Sequence, residues 1–187
     1  MTVAFTSKDL QHFIETHHID AAILPMDGHT PTVSDAAREL GVQTDQIIKS
    51  LVFMAAGSPL LVIGNGLSRV DRKKLAAYLE VGQKKVKFAT AEQAFEITGF
   101  VVGSMPPFGH HQRLRTLVDP AVMGWDTIYG GGGNIDAMMR LTPAELIRVT
   151  EAEIQALSVQ YLGRKGLITG VLKSISQLPK EARPAAG

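Results

Sequence analysis

The sequence contains no cysteine. That excludes disulfides, thiolate metal sites and cysteine nucleophiles, and it suits a cytoplasmic protein. Aromatic residues make up only 6% of the chain, with a single tryptophan, which is poor provision for a protein that stacks single-stranded bases on aromatic platforms. No apolar run approaches the roughly 20 residues that a membrane helix needs, so no membrane partner is expected. Met1 to Leu10 lacks the basic-then-apolar order of a signal peptide. No serine sits in the strand-to-helix elbow of an esterase. The six histidines, His12, His17, His18, His29, His110 and His111, show no zinc-protease spacing. No metal or cofactor is therefore expected, and a hydrolase built on this chain would work without a protein nucleophile.

What is present is enough for a core. Of 187 residues, 45% are hydrophobic and 20% charged, as in one domain of ordinary size with an appendage. The net charge of +1 conceals an uneven distribution. Arg69 to Lys87 carries a local +5 and Arg164 to Arg183 a local +4, so the remainder carries −8. Two basic patches of this kind suit a phosphate backbone, or are simply solvated helix faces.

The local patterns mix helices and strands. Thr6 or Ser7 caps a helix running to about His18, with Leu10, Phe13 and Ile14 on one face. Strands are expected at Ala21 to Leu24, Ile47 to Ala55, Leu60 to Ile63, Val86 to Ala89, Leu114 to Val118, Thr127 to Tyr129 and Ala137 to Leu141. Helices are expected at Ser34 to Leu40 before the Gly41 cap, Asp71 to Leu79, and after Thr90 through Ile97. Thr142-Pro143 begins another, which continues to Leu162 with or without a break near Thr150. Gly163 to Gly166 breaks the pattern, and Leu167 to Leu178 reads as a last helix. The order does not alternate strictly, and tight turns join several strands. That favours an α+β fold with a mixed, largely antiparallel central sheet flanked by helices and a helical C-terminal extension.

Three features bear on chemistry. Lys49 shares a strand face with Ile47, Leu51 and Phe53; it either snorkels to the rim or lines a pocket, where an ammonium suits a phosphate, carboxylate or carbonyl oxygen. The stretch Gly103-Ser104-Met105-Pro106-Pro107-Phe108-Gly109 combines stiff prolines with permissive glycines. It is either a structural crossover or a rigid loop that aims N–H groups at an oxyanion or ribose. The run Gly130 to Gly133 is either an anion nest or a flexible turn, and no Gly-Lys-Ser/Thr follows to make it a phosphate loop.

Taken in order, several stretches resemble the YbaK/prolyl-tRNA-editing family of aminoacyl-tRNA deacylases. They are His29-Thr30-Pro31-Thr32-Val33, Ile47-Ile48-Lys49-Ser50-Leu51-Val52-Phe53, Arg69-Val70-Asp71-Arg72-Lys73-Lys74-Leu75 and Thr98-Gly99-Phe100-Val101-Val102-Gly103. Gly103 to Pro107, followed by Phe108-Gly109, fits that family's glycine, three residues, proline signature. Thr142-Pro143-Ala144-Glu145-Leu146 resembles its closing helix. The resemblance spans about residues 20 to 157 and implies a YbaK-like domain over 1–157, with a basic helical tail over 158–187. It implies hydrolysis, assisted by the substrate, of the ester that joins a small amino acid to a mischarged tRNA, in trans and with tRNA-Pro as one candidate. Lys49 and Gly103 take the catalytic positions. His29, Ser104, Met105, Pro107, Phe108 and Gly109 are the expected substrate contacts, and Arg69, Arg72, Lys73 and Lys74 the expected tRNA contacts. Aminoacylated tRNA is the implied partner, with an aminoacyl-tRNA synthetase as a second. The alternative is a non-catalytic module that binds tRNA or another nucleic acid.

Tyr161-Leu162-Gly163-Arg164-Lys165-Gly166, with Leu178 to Gly187, resembles the N-terminal arm of the phenylalanyl-tRNA synthetase alpha subunit. It implies either added basic contacts to tRNA, packing against a partner, or a remnant without a role.

Overall fold

The computed structural model describes residues 3–27 and 32–155, together with the backbone of 158–160. Among the described residues five α-helices and ten strands are ordered α1 (Ser7–Thr16), β1 (Ala21–Pro25), α2 (Val33–Leu40), β2 (Ile48–Ala55), β3 (Ser58–Asn65), β4 (Ser68–Val70), α3 (Arg72–Tyr78), β5 (Val86–Phe88), α4 (Ala91–Thr98), β6 (Arg115–Val118), β7 (Ile128–Gly131), β8 (Ala137–Leu141), α5 (Pro143–Thr150), β9 (Glu153–Ile154) and β10 (Ser158–Gln160). Every one of these helices begins where a side chain satisfies the first free N–H groups. Thr6, Thr32, Asp71, Thr90 and Thr142 each accept from the first turn that follows. Left-handed Gly41 and Gly99 close α2 and α4.

The central sheet has the order β5-β2-β3-β6-β9. The β2–β3 and β2–β5 pairs are antiparallel, whereas β3–β6 and β6–β9 are parallel. A second sheet, β1-β8-β7, is antiparallel throughout. The fold is thus α+β, mixed and largely antiparallel.

Strand β3 shows why the core has two halves. Leu61 and Ile63 face a layer with Leu10 and Ile14 of α1, Phe100, Ile128, Met139 and Leu146. Leu60 and Val62 face the opposite layer, with Leu75 and Ala76 of α3 and Val86 of β5. A strand covered on both sides reads as a continuous apolar run, which is what Leu60 to Ile63 is.

Two expectations are corrected. The helix begun at Thr142 stops at Thr150, not Leu162. Glu151 turns left-handed at φ 49°, and Glu153 is then drawn away by Arg115, whose Nε and Nη2 donate to its two carboxylate oxygens at 2.7 and 3.0 Å. The Tyr78 hydroxyl donates to the same carboxylate, and together these contacts hold its pKa down to about 2. A tertiary ion pair outweighs local helix propensity here and lays β9 beside β6. Ser158–Gln160 is likewise extended, with Val159 opposite Arg69 of β4. The expected helix at Leu167 to Leu178 and the rest of the tail lie outside the described residues.

The glycine run also differs from its expected form. Gly130 and Gly131 belong to β7. The N–H groups of Gly132 and Gly133 are spent on Ala137 O at 3.0 Å and Ser104 O at 2.9 Å. The run is neither a nest nor a slack turn: a Cβ on Gly131 would stand 2.4 Å from Met105 O, and one on Gly132 would stand 2.7 Å from the Ala137 backbone. These glycines let backbone pack on backbone.

Candidate functional site

Strand β5 covers only Phe53 to Ala55 of one edge of β2. The other end of that edge meets Tyr129 through a bridge to Ile47. Between these two neighbours lies a cavity of about 300 Å³. Its walls come from the start of α2 (Thr32, Val33, Ala36), from Ile47 to Leu51, from the loop residues Val102, Gly103 and Met105, and from Gly131 and Met138 of the second sheet. Most of this lining is apolar, with a few polar groups set into it, which is the usual make-up of a small-ligand site.

Lys49 lines this cavity together with Gly103. The lysine is half-buried, and its pKa lies below the ordinary lysine value, first because burial disfavours the ammonium and then because the Arg69 cation is near. Gly103 has φ 101°, a conformation that favours glycine, and a Cβ there would meet nothing within 4 Å. The glycine is needed for backbone shape at the cavity rim, not for room.

The other expected site residues divide. Met105 joins the cavity wall. Ser104 is buried, its hydroxyl donating to Val101 O at 3.0 Å and its carbonyl accepting from Gly133; it fixes the loop from behind. Pro107 is buried, its Cδ 3.6 Å from where a Gly130 Cβ would stand. Phe108 and Gly109 line a different cavity of about 310 Å³, shared with Phe13, His110, Leu114 and Thr116. Phe108 stacks on Phe13 with ring centroids 6.0 Å apart. The loop thus serves the Lys49 cavity with its first residues and the core with its last. His29 lies outside the described residues.

The second cavity has its own titratable group. His110 Nε2 lies 2.9 Å from Pro106 O; a carbonyl only accepts, so this nitrogen bears the proton. Burial, far more than the neighbouring His111, pushes the imidazole pKa down to about 4, so the ring is neutral near pH 7.

Arg69 is exposed on β4, and Arg72, Lys73 and Lys74 are exposed in the first turn of α3. The turn from β3 into β4 is tight against α2, since a Cβ on Gly66 would stand 2.4 Å from Val33 Cγ1. The basic stretch therefore begins beside the wall of the Lys49 cavity. Ser50, Val102, Gly131 and Met138 also line the cavity, with no signal in the sequence that marks them as such. Period-two alternation marked only Lys49, because it assumes that one face of β2 is the site, whereas the cavity opens on the strand's edge.

Comparison with known proteins follows the same outline. The profile of the aminoacyl-tRNA editing domain matches residues 27–149. The chain belongs to that family. The match bears out the resemblance drawn from the Lys49 and Gly103 stretches. A second profile, the N-terminal domain of class II aminoacyl-tRNA synthetases, matches residues 149–187, the region whose tail resembles a synthetase arm. Among relatives, the uncharacterized protein YwhH of Bacillus subtilis (strain 168) is 28% identical over 116 residues, 62% of this chain and 72% of its own. The proline–tRNA ligase of Limosilactobacillus fermentum is 33% identical over 98 residues, 50% of this chain but only 17% of the ligase. A crystal structure described as a candidate trans-editing enzyme for prolyl tRNA synthetase superposes with TM-score 0.76 at 30% identity, covering 82% of this chain and 96% of that one. The editing domain therefore accounts for the described fold. Among the described residues no helix is long and apolar enough to cross a membrane, and no cluster of metal-ligating side chains occurs.

Proposed function

We propose that this editing-domain chain is a trans-acting aminoacyl-tRNA deacylase, a cytoplasmic hydrolase that cleaves the ester between a small amino acid and the 3′-terminal ribose of a mischarged tRNA. The observation that carries this reading is the shared cavity of Lys49 and Gly103. Its volume of about 300 Å³ has room for an aminoacyl group, and editing sites select their acyl groups by size. Lys49 holds the terminal phosphate or orients the aminoacyl end. Backbone N–H groups near Gly103 face the oxygen that becomes negative as water adds to the ester carbon. The substrate's own ribose hydroxyl assists that water, so no serine or cysteine nucleophile is called for, and orientation supplies most of the rate.

The basic stretch supports tRNA as the larger partner. Arg72, Lys73 and Lys74 stand at the N-terminal end of α3, where cations oppose the helix dipole and cost about 0.3–1 kcal/mol each. Placement against the dipole has no stabilising purpose for the fold and fits a surface that meets phosphates. The similarity to proline–tRNA ligases makes tRNA-Pro the first tRNA to try and prolyl-tRNA synthetase the natural companion.

The test is a panel of mischarged tRNAs incubated with the wild-type chain and with Lys49→Ala, following release of free amino acid. Release by the wild type and a loss of at least about 100-fold in the variant, with an unchanged circular dichroism spectrum, is the expected result. Full activity in Lys49→Ala would remove the lysine from the reaction. Binding of tRNA without release would leave a non-catalytic nucleic-acid-binding module.

A further inference from the structure

The Lys49 cavity holds a polar group that the proposed reaction does not use. Ser50 lines the cavity, yet its Oγ is shielded from solvent and has no hydrogen-bond partner among the described residues. Its strand neighbours of the same parity, Ile48 and Val52, are buried in the larger core layer, so the Ser50 side chain lies on the inward side of β2. A hydroxyl kept in such a place without a protein partner is costly, and buried polar groups are normally paired. A group inserted deep into the cavity would supply the missing partner.

Neither of the other polar lining side chains offers both a free donor and a free acceptor. The Thr32 hydroxyl donates to Asp35 Oδ2 at 2.6 Å and accepts from Asp35 N at 3.1 Å. Lys49 donates but cannot accept. Ser50 is thus the one described lining side chain whose hydroxyl is free both to give and to take a hydrogen bond. With the ester held near Lys49 and Gly103, the part of the substrate that reaches inward is the amino-acid side chain. Around it stand Ile48, Met105 and Met138. Met105, unbranched and flexible, can yield as Ser50 turns about its χ1 toward the ligand.

We propose that Ser50 reads the side chain of the acyl group and that the preferred acyl group is a small amino acid bearing a β-hydroxyl, serine above alanine. This rests on the deacylase reading and sharpens its substrate. A site that hydrogen-bonds a substrate hydroxyl discriminates against the analogue lacking it far more strongly than an apolar pocket can discriminate by one methylene.

The experiment pairs a hydroxyl on the substrate with one on the protein. tRNA is charged with serine, with alanine, or with 2-aminobutyrate, whose ethyl group has the shape of a hydroxymethyl without the hydroxyl. Wild type should favour the seryl ester over the 2-aminobutyryl ester by about tenfold or more in kcat/KM. Ser50→Ala should lose about tenfold on the seryl ester alone, so that the preference vanishes, while its melting temperature stays equal to or above that of wild type. Equal rates on the two esters in wild type, or a Ser50→Ala loss common to all three, would overturn the assignment and leave the deacylase reading intact. If no ester is turned over, that reading fails first. The pocket is then probed directly by calorimetry with the amide analogues of seryl- and alanyl-adenosine. Tighter binding of the seryl compound, abolished in Ser50→Ala, supports Ser50 as the reader; equal or absent binding refutes it.

Discussion

Replacing Gly131 by alanine adds a single methyl group, yet it tests how the cavity wall is held. The new Cβ would stand 2.4 Å from Met105 O and 2.6 Å from Ser104 O. Both neighbours are backbone, so neither can swing aside as a side-chain tip does. Relief requires the 104–105 segment to retreat by about 1 Å, and overpacking of this kind costs roughly 1–3 kcal/mol. The same movement pulls Ser104 O away from Gly133 N, now 2.9 Å apart, which adds about 1 kcal/mol. A destabilisation of about 2–4 kcal/mol is therefore expected from urea unfolding followed by circular dichroism. Because Gly103 and Met105 move with the segment, deacylation should fall by about 100-fold even where the variant is fully folded. Gly103→Ala is the control. It meets no atom within 4 Å but must hold φ 101°, so its cost is backbone strain alone, about 1–3 kcal/mol. A Gly131→Ala protein with an unchanged unfolding midpoint would refute the claim that backbone contact sets the wall.

Three further outcomes follow from the charges. Arg69 helps to depress the Lys49 pKa, so Arg69→Ala should move the alkaline limb of the pH–rate profile, where the lysine deprotonates, to higher pH; an unmoved limb would show that Lys49 is not the titrating group. For His110 the folded state has a pKa of about 4 against 6.5 for the free ring, so the unfolded chain binds the proton first. The stability that His110 contributes is thus complete above pH 6.5 and is lost as pH falls through 6.5 toward about 4, by at most about 3 kcal/mol. His110→Gln should flatten that part of the stability–pH curve, and a curve identical to wild type would contradict the burial argument. Replacing Arg72, Lys73 and Lys74 together by alanine should weaken tRNA binding across all sequences and reduce the slope of log K against log salt by up to about 2–3. A slope like that of wild type would place the phosphate contacts elsewhere.

Local rules carried much of the fold in the sequence. The starts at Thr6, Thr90 and Thr142 and the close of α2 at Gly41 were legible as caps, whereas the capping roles of Thr32 and Asp71 emerge only from the structure. The strand at Leu60 to Ile63 was legible because a run apolar at every position suits a strand buried on both faces. The misplaced boundaries share one cause. Thr150 to Glu153 has ordinary helical composition, and the contacts that hold it in β9 come from more than 30 residues away in the chain: Arg115 and Tyr78 on Glu153, and the backbone of β6, where Gln155 N donates to Val118 O. Gly130 to Gly133 looks like a turn until the 104–105 backbone and the Ala137 backbone are seen lying against it. Contacts of that range leave no periodic trace.

The site shows the same division more sharply. Lys49 stood out because a cation among Ile47, Leu51 and Phe53 breaks an apolar strand pattern, and Gly103 because glycine followed by two prolines is an unusual backbone instruction. Ser50 could not stand out: a serine in a strand is unremarkable, and its meaning lies in having no partner, which only packing defines. Phe108 and Gly109 failed to join the cavity for a related reason. They are contiguous with Gly103 in sequence, but Pro106 and Pro107 stiffen the loop so that its two ends serve different cavities. On the proposed assignment, selectivity rests on the neutral hydroxyl of Ser50, while the conspicuous cation of Lys49 serves the ester common to every substrate. Catalysis and selection would then be separable by mutation along two adjacent residues of one strand, with Lys49→Ala lowering all esters together and Ser50→Ala lowering one.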